Sequence, residues 1–192
     1  MKTLQKYVLE SIESIDPTKE NIINFLKENY NGNFNISNKP NKDGKFEVSS
    51  EGDVKLTNNK LKYLTNDLFE FTIIKGKFEC DYCKSLKSLK GAPRIVNKDF
   101  NCSYCPSLES INGAPEEVGL SFSCNNCRLL KSLEGAPKEV GKNFNCYKCI
   151  NLSSLKYAPK NVGGNFRCKE CAVKFTEEEV KKYSNVKGNI SK

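Results

Sequence analysis

Phenylalanine recurs at positions 78, 100, 122, 144 and 166, each opening F-x-C-x-x-C, and the first four continue the string as x-x-L-x-S-[LI]-x-G-A-P-x-x-V, with Tyr157 in the Gly place of the fourth. A fixed period of 22 residues predicts a stack of equivalent units, each burying its apolar side chains against its neighbours. The unit from Phe100 shows the string most fully, through Cys102, Cys105, Leu108, Ser110, Ile111, Gly113, Ala114, Pro115 and Val118. Phe and Cys at i and i+2 fall on one face of a short strand, and Gly-Ala-Pro ends the segment that follows. One unit buries too few large side chains to offset the entropy of ordering 22 residues, so stacking must supply the rest. Four units are complete; the fifth keeps only Phe166, Cys168 and Cys171, as an end unit that caps a stack would. An earlier unit precedes them, in which Val54, Leu56, Asn59, Leu61 and Leu64 follow L-x-L-x-x-N-x-L-x-x-L.

On these motifs residues 54–171 resemble a leucine-rich-repeat array, close to the bacterial and phage variants that read F-x-C-x-x-C/N-x-x-L-x-S-L-x-G-A-P. The resemblance implies an α+β solenoid with one short parallel strand per 22-residue repeat and units starting at 54, 78, 100, 122, 144 and 166. The flanks are read from their own patterns. Residues 1–15 place Leu4, Tyr7, Val8, Ile12 and Ile15 at helical spacing, an amphipathic N-terminal helix. Residues 16–53 form a helix and β-hairpin cap. Asp16-Pro17 opens the helix, Ile22, Leu26 and Tyr30 share its face, and Asn31-Gly32 ends it. Phe34/Ile36 and Phe46/Val48 then alternate as two antiparallel strands that would cover the first strand of the array. Residues 172–192 form a C-terminal cap, with a capping box at Thr176/Glu179, a helix to about Tyr183 and a last strand over Val186 to Ile190. Both ends of the stack are then covered.

Composition excludes several chemistries. The chain of 192 residues has no histidine, which removes Ser-His-Asp and Cys-His catalysis and every His-ligated metal centre. No paired carboxylates, phosphate loop or activated nucleophile stand out, so the chain reads as a non-enzyme. No apolar run of membrane-spanning length occurs, and the N-terminus lacks a secretory signal, so the expectation is a reducing, cytoplasmic setting with no membrane partner.

In that setting the ten cysteines are read first as thiols. Each belongs to a C-x-x-C pair, and successive pairs stand 18 residues apart, a spacing that also suits four-cysteine zinc sites. Zinc would take Cys80, Cys83, Cys102 and Cys105 for one ion and Cys124, Cys127, Cys146 and Cys149 for another. Against it, the number of pairs is odd and no glycine follows a second cysteine. Moreover, the first unit places Leu56 and Asn59 at the same two positions. The favoured reading is a ladder of buried thiols without cofactor, zinc remaining the alternative. Disulfides rank below both, since side chains on parallel strands do not point at one another.

If Phe and Cys face inward, two columns face out: Glu79, Asn101, Ser123, Asn145, Arg167, and Asp81, Ser103, Asn125, Tyr147, Lys169. Both run from acidic to basic while the inward positions stay nearly constant, the pattern of a surface that recognises a protein. The net charge of +8 raises nucleic acid as an alternative partner, with Tyr82 and Tyr104 to stack on bases, but the lysines form no cluster.

The opening Met1-Lys2-Thr3-Leu4-Gln5 resembles the capsid-targeting peptides of internal head proteins in large tailed bacteriophages. Val8-Leu9-Glu10 stands where their protease cuts, with Glu10 as the processing site. The resemblance implies a phage protein packaged in the virion and delivered to a host cytoplasm, where it acts on a host protein. A structural virion component is the other reading it allows.

Overall fold

The computed structural model describes residues 16–192. The N-terminal amphipathic helix expected over 1–15, and with it the processing site at Glu10, lies outside the described residues.

Repetition produces a two-sheeted solenoid in which each 22-residue unit supplies two strands rather than the one expected. The Phe position starts the first: Phe78–Glu79, Phe100–Asn101, Phe122–Ser123, Phe144–Asn145 and Phe166–Arg167 pair in parallel, Phe opposite Phe. The Val position ends the second, in Ile95–Val96, Glu117–Val118, Glu139–Val140 and Asn161–Val162, also parallel and in register. Three residues join the second strand of one unit to the first strand of the next. Strands of two residues carry no visible alternation, which is why the second series is not evident from hydrophobic pattern alone.

Each turn contributes the same buried set, of which Phe122, Cys124, Cys127, Leu130, Leu133 and Val140 are one example. The Phe rings form a column with centroids 5.5, 5.3 and 5.6 Å apart and nearly parallel planes from Phe78 to Phe144, and a tilted step to Phe166. Backbone bonds knit neighbouring units beyond the strands, as in Cys102 N–H to the Ser123 carbonyl at 2.9 Å and Gly141 N–H to the Val118 carbonyl at 2.9 Å.

The turns depend on two backbone features. The third residue of every C-x-x-C string has positive φ, from Tyr82 at 56° to Glu170 at 55°, although none is glycine. Gly91, Gly113 and Gly135 adopt φ of 85–87° in the Gly-Ala-Pro turn, and Tyr157 takes the same place at 75° in the fourth unit. Left-handed φ costs a side-chain-bearing residue free energy, so the stacked neighbours must hold these turns.

The N-terminal cap differs in its placement from the sequence expectation. Helix α1, Pro17–Asn29, starts where Asp16 accepts a bond from Thr18 N–H at 2.8 Å, and it buries Ile22 and Leu26. The hairpin forms, Asn35–Ile36 against Phe46–Ser50, but Phe46–Ser50 runs parallel to Phe69–Ile74 and so extends the second sheet. The first array strand, Val54–Leu56, is covered instead by the antiparallel Tyr30–Asn31. Tyr30 leaves the helix because its ring packs edge-on to Phe34 and Phe71 and its hydroxyl donates to the Leu64 carbonyl.

At the other end helix α2, Glu177–Tyr183, has the full capping box. Counted from Phe166, it stands where the earlier units carry the Leu-x-Gly-Ala-Pro turn. The single strand expected over Val186 to Ile190 is two, because Lys187-Gly188-Asn189 makes the same corner as Gly163-Gly164-Asn165. Asn185–Val186 therefore joins the second sheet and Ile190–Ser191 the first. Repetition runs through Ser191, with Ile190 at the Phe position. Among the described residues no further strand pairs beyond these two.

Candidate functional site: the outer face of the first sheet and its rim

Alternation on the first sheet decides what faces out. With Phe and the first cysteine buried, the residue between them emerges on the opposite face. Glu79, Asn101, Ser123 and Asn145 are half-buried there and Arg167 is exposed. In the second column Asp81, Asn125 and Tyr147 are half-buried and Lys169 is exposed, whereas Ser103 is buried, its hydroxyl donating to Asn125 Oδ1 at 2.6 Å.

The face is tied together along its length. Asn101 Oδ1 accepts from Ser103 N–H at 3.1 Å and Asn145 Oδ1 from Tyr147 N–H at 3.0 Å. Tyr147 donates to Glu170 at 2.6 Å, Lys148 pairs with Glu170 at 3.4 Å, and the charged groups of Arg167 and Lys148 each lie 5.2 Å from the Tyr147 ring. The hydroxyl of Tyr147 and the Lys148 ammonium hold the Glu170 carboxyl below its usual range.

A third column, not recognised in the sequence, borders the face at the residue before each Phe and before Val54 and Ile190, which hold the Phe place at the two ends: Asp53, Lys77, Asp99, Ser121, Asn143, Asn165 and Asn189. Its side chains accept backbone N–H bonds from the next unit, as Asn143 does from Asn165 at 2.8 Å and Asn165 from Asn189 at 2.8 Å. Lys77 interrupts this ladder because an ammonium has no lone pair to offer. The signal available in the sequence is the short, acceptor-bearing residue ahead of four of the five Phe.

Charge separates along this surface. A groove of about 340 Å³ is lined by Glu79, Asp81 and Asp99 with Lys77 the one cation. Glu79 and Asp99 meet Lys55 and Lys77 only at 4.0 Å. At the far end Lys169, Lys174 and Lys192 line a depression of about 320 Å³ with Glu170. Tyr82 and Tyr104 stack on each other, centroids 4.7 Å apart and planes 3° from parallel, so base stacking would have to use their outer faces or split the pair.

The cysteines form two columns. Each second cysteine donates to the carbonyl of the first cysteine in the preceding unit: Cys105 to Cys80 at 3.2 Å, Cys127 to Cys102 at 3.2 Å, Cys149 to Cys124 at 3.1 Å and Cys171 to Cys146 at 3.3 Å. Cys83 has its nearest acceptor in the Asp81 carbonyl at 3.6 Å. All ten are free thiols, nine of them buried. Burial raises the pKa of Cys80 and Cys102, and pushes Cys168 up to about 12. Among the described residues no three Cys, Asp or Glu side chains are placed to hold a metal ion.

A cavity of about 630 Å³ lies elsewhere, between the 63–72 segment and the Gly91 and Gly113 turns. Lys45, Lys90 and Arg94 line it together with Asp67, Glu70 and Glu116, and no cysteine or serine lines it. Among the described residues no helix is long and apolar enough to cross a membrane. Compared with protein-family models, curated proteins and solved structures, the chain matches none.

Proposed function

We propose that the chain is a non-enzymatic, leucine-rich-repeat-like scaffold that binds a protein through the outer face of the first sheet. The observation that carries this reading is the contrast between columns. Inward positions repeat Phe and Cys without change from unit to unit, while outward ones pass from Glu79 and Asp81 to Arg167 and Lys169. Packing demands the first and not the second. A graded field on a tied-down surface steers and orients a partner of opposite polarity. The thiol bond from each second cysteine to the preceding unit supports the leucine-rich-repeat comparison, since that position in such repeats is filled by Asn or Cys.

Protein is favoured over nucleic acid because carboxylates surround the exposed tyrosine pair, where they would repel phosphate. From the first ten residues, the scaffold is read as phage-encoded, packaged in the virion and directed at a host protein.

Binding is tested by charge reversal. Arg167→Glu with Lys169→Glu should cut retention of the specific host partner severalfold at moderate salt. Lys131→Glu, exposed on the return segment, should leave it unchanged. Equal retention by all three proteins overturns the reading, and a steep loss of binding with rising salt together with retention of DNA would replace it with nucleic-acid binding. Peptide mapping of purified particles tests packaging, with an N-terminus at Ser11 expected.

A further inference from the structure

Seven large hydrophobic side chains are exposed among the described residues, and five of them lie on the C-x-x-C turns or within two residues of them. They are Tyr82, Tyr104, Leu129, Ile150 and Val173, one in each consecutive unit, 41–62% exposed. Stacking sets them as a ridge along the edge of the polar face in two adjoining columns, the tyrosines at the third position of the C-x-x-C string and the other three just past its second cysteine. Its four steps of about 4.8 Å give a length of about 19 Å.

Opposite charges flank its two ends. Tyr82 and Tyr104 share their groove with Glu79, Asp81 and Asp99, and Val173 shares its depression with Lys169, Lys174 and Lys192. The outer faces of a stacked tyrosine pair beside carboxylates suit a Lys or Arg side chain, which is attracted by the rings and paired by the acids.

We propose that this ridge docks an amphipathic α-helix of the partner protein, about 13 residues long, with basic side chains over the Tyr82 end and acidic ones over the Val173 end. The inference rests on the reading of this face as a protein-binding surface. Spacing selects a helix. Its apolar stripe returns about every 5.4 Å, close to the rise of about 4.8 Å per unit, whereas alternate residues of an extended strand stand about 6.7 Å apart and fall out of step. Over about 19 Å the helix makes between three and four turns, so four apolar side chains are spread along the five units of the ridge.

The probe is a labelled 14-residue helical peptide with leucines at i, i+3, i+7 and i+10, lysines in one half and glutamates in the other. A second peptide has the same composition with the charges interleaved. Titrated against the full chain, the polarised peptide should bind about tenfold more tightly than the interleaved one, a difference of about 1.4 kcal/mol. Ile150→Lys, at an exposed position, should weaken both. Asp81→Lys should weaken the polarised peptide alone, and adding Lys169→Glu should restore it, because the helix can reverse direction on a ridge of reversed polarity. Equal affinity for the two peptides, or indifference to Ile150→Lys, overturns the proposal. So does a photo-crosslinking amino acid at position 150 that attaches to residues 1–15 of the chain or to a second copy. Loss of partner retention in the Arg167/Lys169 reversal with no discrimination between peptides would remove the helix and leave the binding face. Retention unaffected by that reversal would remove the face itself.

Discussion

At the scale of the residue, the cysteines tell most about how the interior is made. A thiol on the first sheet is a small apolar group, and from Cys105 onward the second thiol of each pair satisfies a carbonyl that the strand of the preceding unit leaves free. Cys171 is the one cysteine with partial exposure, and the Cys146 thiol bonded to it holds it below the ordinary thiol value. Brief alkylation of the native protein with iodoacetamide should therefore modify one thiol, at Cys171, and unfolding should release the other nine. Modification at several sites in the native state would contradict the buried ladder. The thiols also set an alkaline limit. Cys168 ionises at about 12 in the folded chain against an ordinary value near 9, first because it is buried and then because Cys171 is beside it. Its protonated form is thus favoured by folding, so its contribution is complete below pH 9 and is lost as the pH rises from 9 toward 12. Thermal melts should show Tm falling across that window under reducing conditions, and a flat Tm between pH 9 and 11 would deny the thiols this role.

At the scale of the element, the corner between the two sheets is governed by lack of space. A Cβ on Gly141 would sit on the carbonyl oxygen of Gly119, and one on Gly163 on that of Gly141. Backbone cannot give way as a flexible side chain would, so Gly141→Ala should destabilise the protein by about 1–3 kcal/mol in urea unfolding, with the fold retained. The corner glycines stand in the sequence at 22-residue spacing, yet the strand before them, ending at Val118 or Val140, is hidden by its two-residue length and by the acid at Glu117 and Glu139. The first-sheet strand was legible because Phe and Cys bracket it on one face. The strand at Tyr30–Asn31 was not, since Asn31-Gly32 signals only that the helix ends. The outward columns could be written down from the alternation, although the bonding that buries Ser103 could not. The apolar ridge escaped notice for a different reason. Its members drift from the third position of the C-x-x-C string at Tyr82 and Tyr104 to the residues after the second cysteine at Leu129, Ile150 and Val173, so no single column contains them.

At the scale of the whole molecule, stability is distributed along one axis. Every repeat contacts its two neighbours through the same parallel registers, so removal of residues 122–143 joins Ser121 to Phe144 and leaves each remaining Phe opposite a Phe. The shortened chain should fold, with a denaturant m-value lower by about a tenth in keeping with the surface it no longer buries. A collapsed or unfolded product would show instead that the ends depend on each other across the stack. The two ends themselves differ. One is closed by antiparallel strands, helix α1 and the aromatic cluster around Tyr30 and Phe71, whereas the other stops at Asn185–Val186 and Ile190–Ser191 with an isoleucine where the ring column would continue. Pulled between its termini, such a chain behaves as a tape wound on a spool: load falls on the last turn first, and the interior turns are shielded until their outer neighbour has peeled away. An optical trap should then record a staircase of extensions, each of about 7–8 nm for 22 residues drawn out at about 3.3–3.6 Å apiece, advancing from the Ile190 end toward the aromatic knot that anchors the other.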